Sequence, residues 1–390
     1  MLAVVIIVIV LLMAIGIGIL GLSFHGQMFA IRSAADMTAR CAADAAVADA
    51  VFQMNEKLKV KPWDDFSLPD AENMTLLNCD ASFDYAVSKI DDVYTVDAQG
   101  TAVNSVRSIN STLRISSVFD LALFARDYLE LKSGTQVNWI NNQPDDWPLQ
   151  VGTNSIAPDA ITLMSSSVIN GDVVIGVDGE PNIVIKQQPD VTVTGDIYPM
   201  FSNVIFPSII VPPSLVSMPS SGDIKNPVII SSSAKYKLID LGNGETITIV
   251  EPVKLYITGN ITLGNSAKII IGGPDDTDND ASLAIYLAGN FEGKNSMGIN
   301  NQTLDSRRFM LFCLDSCTDV SLKNSGDFYG AIYAPNAALD LYNSSNTYGS
   351  IVAAQLILKA DGNFYYDVNL RDRSVGDDAI RFVVDRWSEQ

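Results

Sequence analysis

The first residues, MLAVVIIVIVLLMAIGIGILGLSFHGQMFAI, pass without a charged side chain from Met1 to Arg32. An apolar run of that length predicts a helix able to cross a membrane. Helical spacing continues through FAIRSAADMTARCAADAAVADAVFQMNEKLK to about Lys59, where the composition turns to alanine. Alanine favours helix and leaves a thin rod that neighbours can approach closely. One continuous helix over 1–59 would be about 85–90 Å long at roughly 1.5 Å per residue. KPWDDFSLPD, with its two prolines, ends it. Residues 60–117 read as a linker and small strand-rich region, with alternating stretches such as DDVYTVDAQGTA and VRSINSTLRI.

From Val118 to Gln390 short β-rich runs are separated by Gly, Asn and Asp, as in VKLYITGNITLGNSAKIIIGG. YGAIYAPNAALDL, starting at Tyr329, matches YGSIVAAQLILKA, starting at Tyr348. Tyr329 and Tyr348, Gly330 and Gly349, Ile332 and Ile351, Ala334 and Ala353, and Leu339 and Leu358 all fall 19 apart. A period near 20 with Gly/Asn corners predicts stacked coils. The expected fold is therefore a long N-terminal α-helix plus a mainly-β domain, a parallel β-solenoid over 118–390, with an antiparallel β-sandwich as the alternative. The Pro-rich segment Phe201–Asp223 reads as an extended strap.

Charge and chemistry narrow the function classes. The formal charge is -20, so nucleic acid and anionic membrane surfaces are repelled. His25 is the only histidine and lies in the apolar helix, which removes Ser-His-Asp, Cys-His and histidine-metal chemistry from the rest of the chain. Carboxylate chemistry such as glycoside hydrolysis remains open, yet no acid pair with a basic partner stands out. No catalytic residue is assigned and no cofactor is expected. Gly16, Gly18 and Gly21 in GIGILG match the G-x-G-x-x-G dinucleotide fingerprint, but that motif needs a strand-to-helix turn, and here it lies inside the apolar helix.

In GGPDDTDNDAS, Asp276, Asp278 and Asp280 alternate as in a calcium loop, while Ala281 and Leu287 stand where an EF-hand wants Gly and Glu. A structural Ca²⁺ site and a solvated acidic turn are both open readings. Five sequons, at Asn73, Asn110, Asn260, Asn301 and Asn343, are candidate glycosylation sites. The four cysteines suit two disulfides in an exported chain: Cys313 with Cys317, which are closely spaced, and Cys41 with Cys79, which would staple the rod to the linker region. Free buried thiols are the alternative.

A chain beginning directly with MLAVV, without Lys or Arg ahead of the apolar run, is expected to have lost a basic leader. A cleaved leader, an apolar first half and an amphipathic second half together resemble the N-terminal helix of type IV pilins. IRSAADMTARCAADAAVADAVFQMNEKLK is similar to the pilin-like assembly subgroup. GDFYGAIYAPNAALDL, YGSIVAAQLILK and SSVFDLALFARDYLELKSG resemble the β-solenoid-like domain attached to many of those proteins. The resemblance implies a structural subunit of an extracellular filament that polymerises through its N-terminal helix with the β domain outside. It also implies a stay in the cytoplasmic membrane before assembly at the cell surface. The partners it implies are copies of the same chain, the membrane, the pilus assembly machinery and a leader peptidase. Val5 departs from the pattern, because many members carry glutamate there. Gly16, Gly18 and Gly21 mark where such a helix can loosen on packing, each costing about 1 kcal/mol of helix stability relative to alanine. The rival readings are a membrane-anchored adhesin or carbohydrate-binding module, and a polysaccharide-active enzyme.

Overall fold

The computed structural model describes residues 2–60, 62–91, 93–140, 148–273, 280–343, 345–360 and 362–389. One long N-terminal helix is followed by a mostly-β chain with large parallel sheets. Two compact units result: Met1–Ile115 with Arg381–Gln390, and Ser116–Ile380.

In the first unit, α1 (Leu2–Leu58) is a single unbroken helix. Strands β1 (Asp70–Thr75), β2 (Ala81–Ile90), β3 (Val93–Ala102) and β4 (Ser105–Ser117) form an antiparallel meander, and the final strand Ile380–Glu389 lies beside β4. The region 60–117 is thus the sheet on which the helix packs, and Ile380–Glu389, expected with the β-rich body, completes that sheet.

Among the described residues, only the alanine-rich half of α1 packs. Ala39, Ala42, Ala43, Ala46, Val47, Ala50, Met54 and Leu58 are buried, at the three- and four-residue spacing that puts them on one helix face. A Cβ at Gly100 would run into the carbonyl oxygen of Ala39 and the amide of Ala43. Small residues on both sides therefore let helix and sheet backbones touch. Asn55 adds a rung: its Nδ2 donates to the Phe382 carbonyl at 3.1 Å and its Oδ1 accepts from the Phe382 amide at 2.8 Å. Arg107 Nε and Nη2 each donate to Asp36 at 2.6 Å, and the Tyr85 hydroxyl donates to Asp49 at 3.0 Å.

The second unit is a stack of short strands, and every strand pairing described in it is parallel. The antiparallel sandwich is thereby set aside, and the unit is compatible with a solenoid-like fold. One column runs Ala234, Leu255, Ile285, Leu311, Ile332, Ile351, Leu123, Val151, Val173, Ile197, each residue in register with the next and all buried except the half-buried ends Ala234 and Ile197. The chain therefore enters mid-stack at β5 (Leu123–Leu131), builds outward to one end, then restarts at the other end and works back. Phe201–Asp223 makes that crossing as a strap, extended apart from one helical turn at Pro213–Ser217. The Tyr333 hydroxyl donates to its Pro207 carbonyl at 2.8 Å, Asn154 pairs in both directions with the Val204 backbone, and Phe206 lies 5.9 Å from Phe124 between ring centres.

The predicted repeat is real in its first half. Tyr329, Gly330, Ile332 and Ala334 lie against Tyr348, Gly349, Ile351 and Ala353. Between Ala334 and Ala338 the register shifts, so Leu339 pairs with Leu356 rather than Leu358. Pro335, with no amide to donate, sits in the shift. At the corners one turn caps the next: Asp327 Oδ1 accepts from the Asn346 amide at 3.1 Å, and Asn346 Oδ1 accepts from the Asn363 amide at 3.0 Å. This accounts for the asparagine-rich corners.

Two expected outcomes follow from the first unit. Gly100→Leu should strip hydrogen-exchange protection from β2–β4 and destabilise the unit by at least about 2 kcal/mol, because backbone on the far side cannot yield; unchanged exchange there would refute the close packing. Asp65 accepts from Trp63 Nε1 at 2.6 Å, the Tyr94 hydroxyl at 2.7 Å and Lys89 Nζ at 2.8 Å, and chiefly the Lys89 contact lowers its carboxyl to about 2. A carboxyl lowered on folding contributes stability above its ordinary value and loses it as pH falls toward the lowered one. Between about pH 4 and 2, then, Asp65→Asn should flatten the acid side of the stability profile, by a small amount because the group is largely exposed.

Candidate functional site

The apolar half of α1 is exposed in the single chain. Ile17, Ile19, Leu20 and Leu22, which the 100° helical step spreads around the whole circumference, are 61–76% exposed. A helix apolar on every side is stable only inside lipid or a protein core. The helix is long and apolar enough to cross a membrane. Gly16, Gly18 and Gly21 lie in this segment, and a Cβ at any of them would meet nothing within 4 Å. Within one chain these glycines therefore serve no packing need. Val5 belongs to the helix backbone of the same segment.

The remaining sequence candidates are scattered. Asp276 and Asp278 lie outside the described residues; the Asp280 carbonyl accepts from Arg308 Nη1 at 2.7 Å. Among the described residues no group of three or more His, Cys, Asp or Glu is placed to hold a metal ion.

The two expected disulfides are not formed, and all four thiols are free. Cys41 lies on the outer side of α1, one position from the buried Ala42 that faces the sheet, while Cys79 lies in the turn between β1 and β2 and donates to the Leu76 carbonyl. Cys313 and Cys317 are buried in the second unit and hydrogen-bonded to one another; that contact together with burial pushes the Cys313 thiol up, while the same contact lowers that of Cys317 against the effect of burial.

Two sequons are structural. Asn301 and Asn343 are each only 2% exposed, and their Nδ2 atoms are committed: Asn301 to the Asp305 and Tyr329 carbonyls, Asn343 to the Asn346 carbonyl and Thr347 Oγ1. Neither amide can carry a glycan in the folded chain. Asn73 and Asn260 are exposed and Asn110 is half-buried.

The structure assembles two clefts that sequence reading does not single out. The first, about 640 Å³, is lined by Lys132, Lys323 and Lys359 together with Tyr342, Asn324 and Ser325. Lys323, Tyr342 and Lys359 are successive partners in register across three stacked strands. Lys359 Nζ lies 4.0 Å over the Tyr342 ring and donates to its hydroxyl, which raises the ammonium's pKa. The second cleft, about 480 Å³, shares Asn324 and Ser325 with the first and is lined further by Tyr329, Asn300, Gln302 and Asp327. Tyr329 heads a stack of rings: its centre is 4.3 Å from that of Tyr348 with the ring planes nearly parallel, and Tyr365 follows at 5.0 Å from Tyr348. Burial chiefly pushes the Tyr329 hydroxyl up to about 12. Sequence spacing links Tyr329 to Tyr348 but not to Tyr365, because the next turn is shorter.

Residues 236–373 match a family described as a domain of unknown function (DUF7305). No curated protein matches the chain. Among solved structures, the competence-associated pilin ComZ from Thermus thermophilus overlaps at 11% identity with a TM-score of 0.26, covering 92% of this chain and 98% of that one. An ice binding protein from an Antarctic Flavobacteriaceae bacterium overlaps at 8% identity with a TM-score of 0.23, covering 64% of this chain and 96% of that one. Both overlaps are too loose to assign a function.

The cysteine environments set an expected labelling pattern. In the native, reduced chain, iodoacetamide should modify Cys41 and Cys79, with Cys313 and Cys317 reacting only after unfolding. Peptide mass mapping that found Cys313 labelled as fast as Cys41 would contradict the burial.

Proposed function

We propose that the chain is a structural subunit of a type IV pilus-like filament. In this reading α1 holds the subunit in the cytoplasmic membrane and then polymerises, and the β-rich unit, read as a solenoid, forms part of the surface. The observation that carries it is the division of α1: the alanine half is closed against its own sheet, while the apolar half has no covering within the chain. Burying one large aliphatic side chain is worth about 1.5–3 kcal/mol, so a bare apolar helix in water must find either lipid or copies of itself. The pilin-like pattern of residues 1–59 supports the second destination outside the membrane. Assembly machinery and a leader peptidase are the partners this role requires. The part played in this reading is structural rather than enzymatic.

Deleting residues 1–32 should yield a folded, soluble chain that forms no fibre, and Ile9→Asp or Leu12→Asp should abolish fibres while leaving both units folded. Electron microscopy of surface fractions reads the outcome. Filaments from the truncated chain would move polymerisation to the β-rich unit, and a full chain that stays monomeric outside detergent would favour a membrane-anchored adhesin.

A further inference from the structure

The two adjoining clefts lie on a chain with 45 acidic and 25 basic residues, yet no carboxylate lines the larger cleft among the described residues. Three ammonium groups converge there. Lys132 pairs with Glu130, Lys359 leans on Tyr342, and Lys323 has no carboxylate partner among the described residues. Glu130 offsets Lys132, and Glu130 and Asp340 also act on Lys359, so the uncompensated positive charge of the cleft rests on Lys323, with the other two lysines as further donors to an anion.

The smaller cleft has a different chemistry. Tyr348 covers one face of the Tyr329 ring, and Tyr329 but not Tyr348 lines the cleft, which therefore lies at the open end of the stack. An aromatic face packs against C–H groups, and the neighbouring Asn300 and Gln302 amides supply both donors and acceptors. That combination suits a polyhydroxylated ring. Each cleft falls within the range of small-ligand sites, roughly 300–1,000 Å³, and their shared Asn324–Ser325 edge makes one track. A lone inorganic anion would need only the lysine end. A nucleic acid, charged at every residue, would meet Asp327 and the surrounding acidic surface.

We propose that this track binds an acidic oligosaccharide, with a uronate carboxylate in the Lys132–Lys323–Lys359 cleft and the adjoining sugar ring against Tyr329. The site does not depend on polymerisation, so it stands or falls separately from the filament reading.

Calorimetric titration of the full chain in non-ionic detergent with a hyaluronan hexasaccharide, whose uronates alternate with neutral sugar rings so that an uncharged ring can meet Tyr329 and Asp327, tests it. Saturable binding is expected, weakened about tenfold or more by Lys323→Gln with Lys359→Gln, by Tyr329→Ala, and by full methyl esterification of the hexamer. Lys186→Gln, at an exposed residue that lines neither cleft, should leave binding unchanged, and circular dichroism establishes that each variant is folded. No binding, equal affinity for the methyl ester, or the same loss in Lys186→Gln would overturn the proposal. So would inorganic phosphate binding as tightly with no effect of Tyr329→Ala, which would reduce the track to a simple anion site.

Discussion

The β-rich unit depends on one long-range joint, the parallel pairing of the strand Thr347–Ala360 on β5, with Ile351 against Leu123 and Leu356 against Leu129, extended by Phe364–Tyr366 on Gln136–Trp139. Without it the unit is two half-stacks, each with an open apolar end and a row of unpaired backbone groups. The pairing closes both ends at once, buries the column across the joint and satisfies the edges. Its cost is chain entropy over the long separation between the two strands. That cost grows only with the logarithm of loop length, so the contact is affordable at equilibrium but slow to find. The strap Phe201–Asp223 belongs to the same solution, since a chain that builds one half outward must cross to the far end before building the second.

Starting mid-stack also explains how so large a unit can sit between β4 and the final strand. At the joint, the Val118 amide donates to the Ala379 carbonyl at 3.1 Å, so entry and exit lie together. In the first unit, β4 and Ile380–Glu389 are sheet neighbours. An insertion whose ends are adjacent leaves the host sheet whole, the condition under which insertions are tolerated. Asn55 then ties that last strand to α1, so the helix is held by a sheet whose final member arrives after the entire β-rich unit has been made.

Different parts of this structure were legible in the sequence to different degrees. The helix was readable from end to end, because apolar composition and alanine spacing are local properties that no distant contact can reverse. The repeat at Tyr329 and Tyr348 was readable because two successive coils there have the same length as far as Ala334. Beyond it the Pro335 register shift breaks the period, and elsewhere turns of unequal length hide the column that joins Leu255 to Ile285 and Leu123 to Val151. The sequons Asn301 and Asn343 misled in an instructive way. A corner asparagine that caps a neighbouring strand and one that awaits a glycan share the same three letters, and only burial separates them. The lysine cleft was invisible because Lys132 and Lys323 meet only through the joint between the two half-stacks.

Electrostatics and burial act on different lengths in this chain, and that difference reconciles its acidic body with both proposed interactions. The net charge of -20 keeps copies apart in solution, but at physiological salt the repulsion is screened within about 8 Å. Apolar helices brought side by side gain burial over their whole length, each large side chain contributing about 1.5–3 kcal/mol, so screened repulsion between bodies is too weak to prevent their alignment and serves instead to discourage disordered clumping. The same short screening length isolates the lysine cleft. Glu130 and Asp340 act on the cleft at close range, but the more distant acids of the surface are screened from Lys323, which has no carboxylate partner among the described residues, and an anion can be held there on a chain that as a whole repels anions.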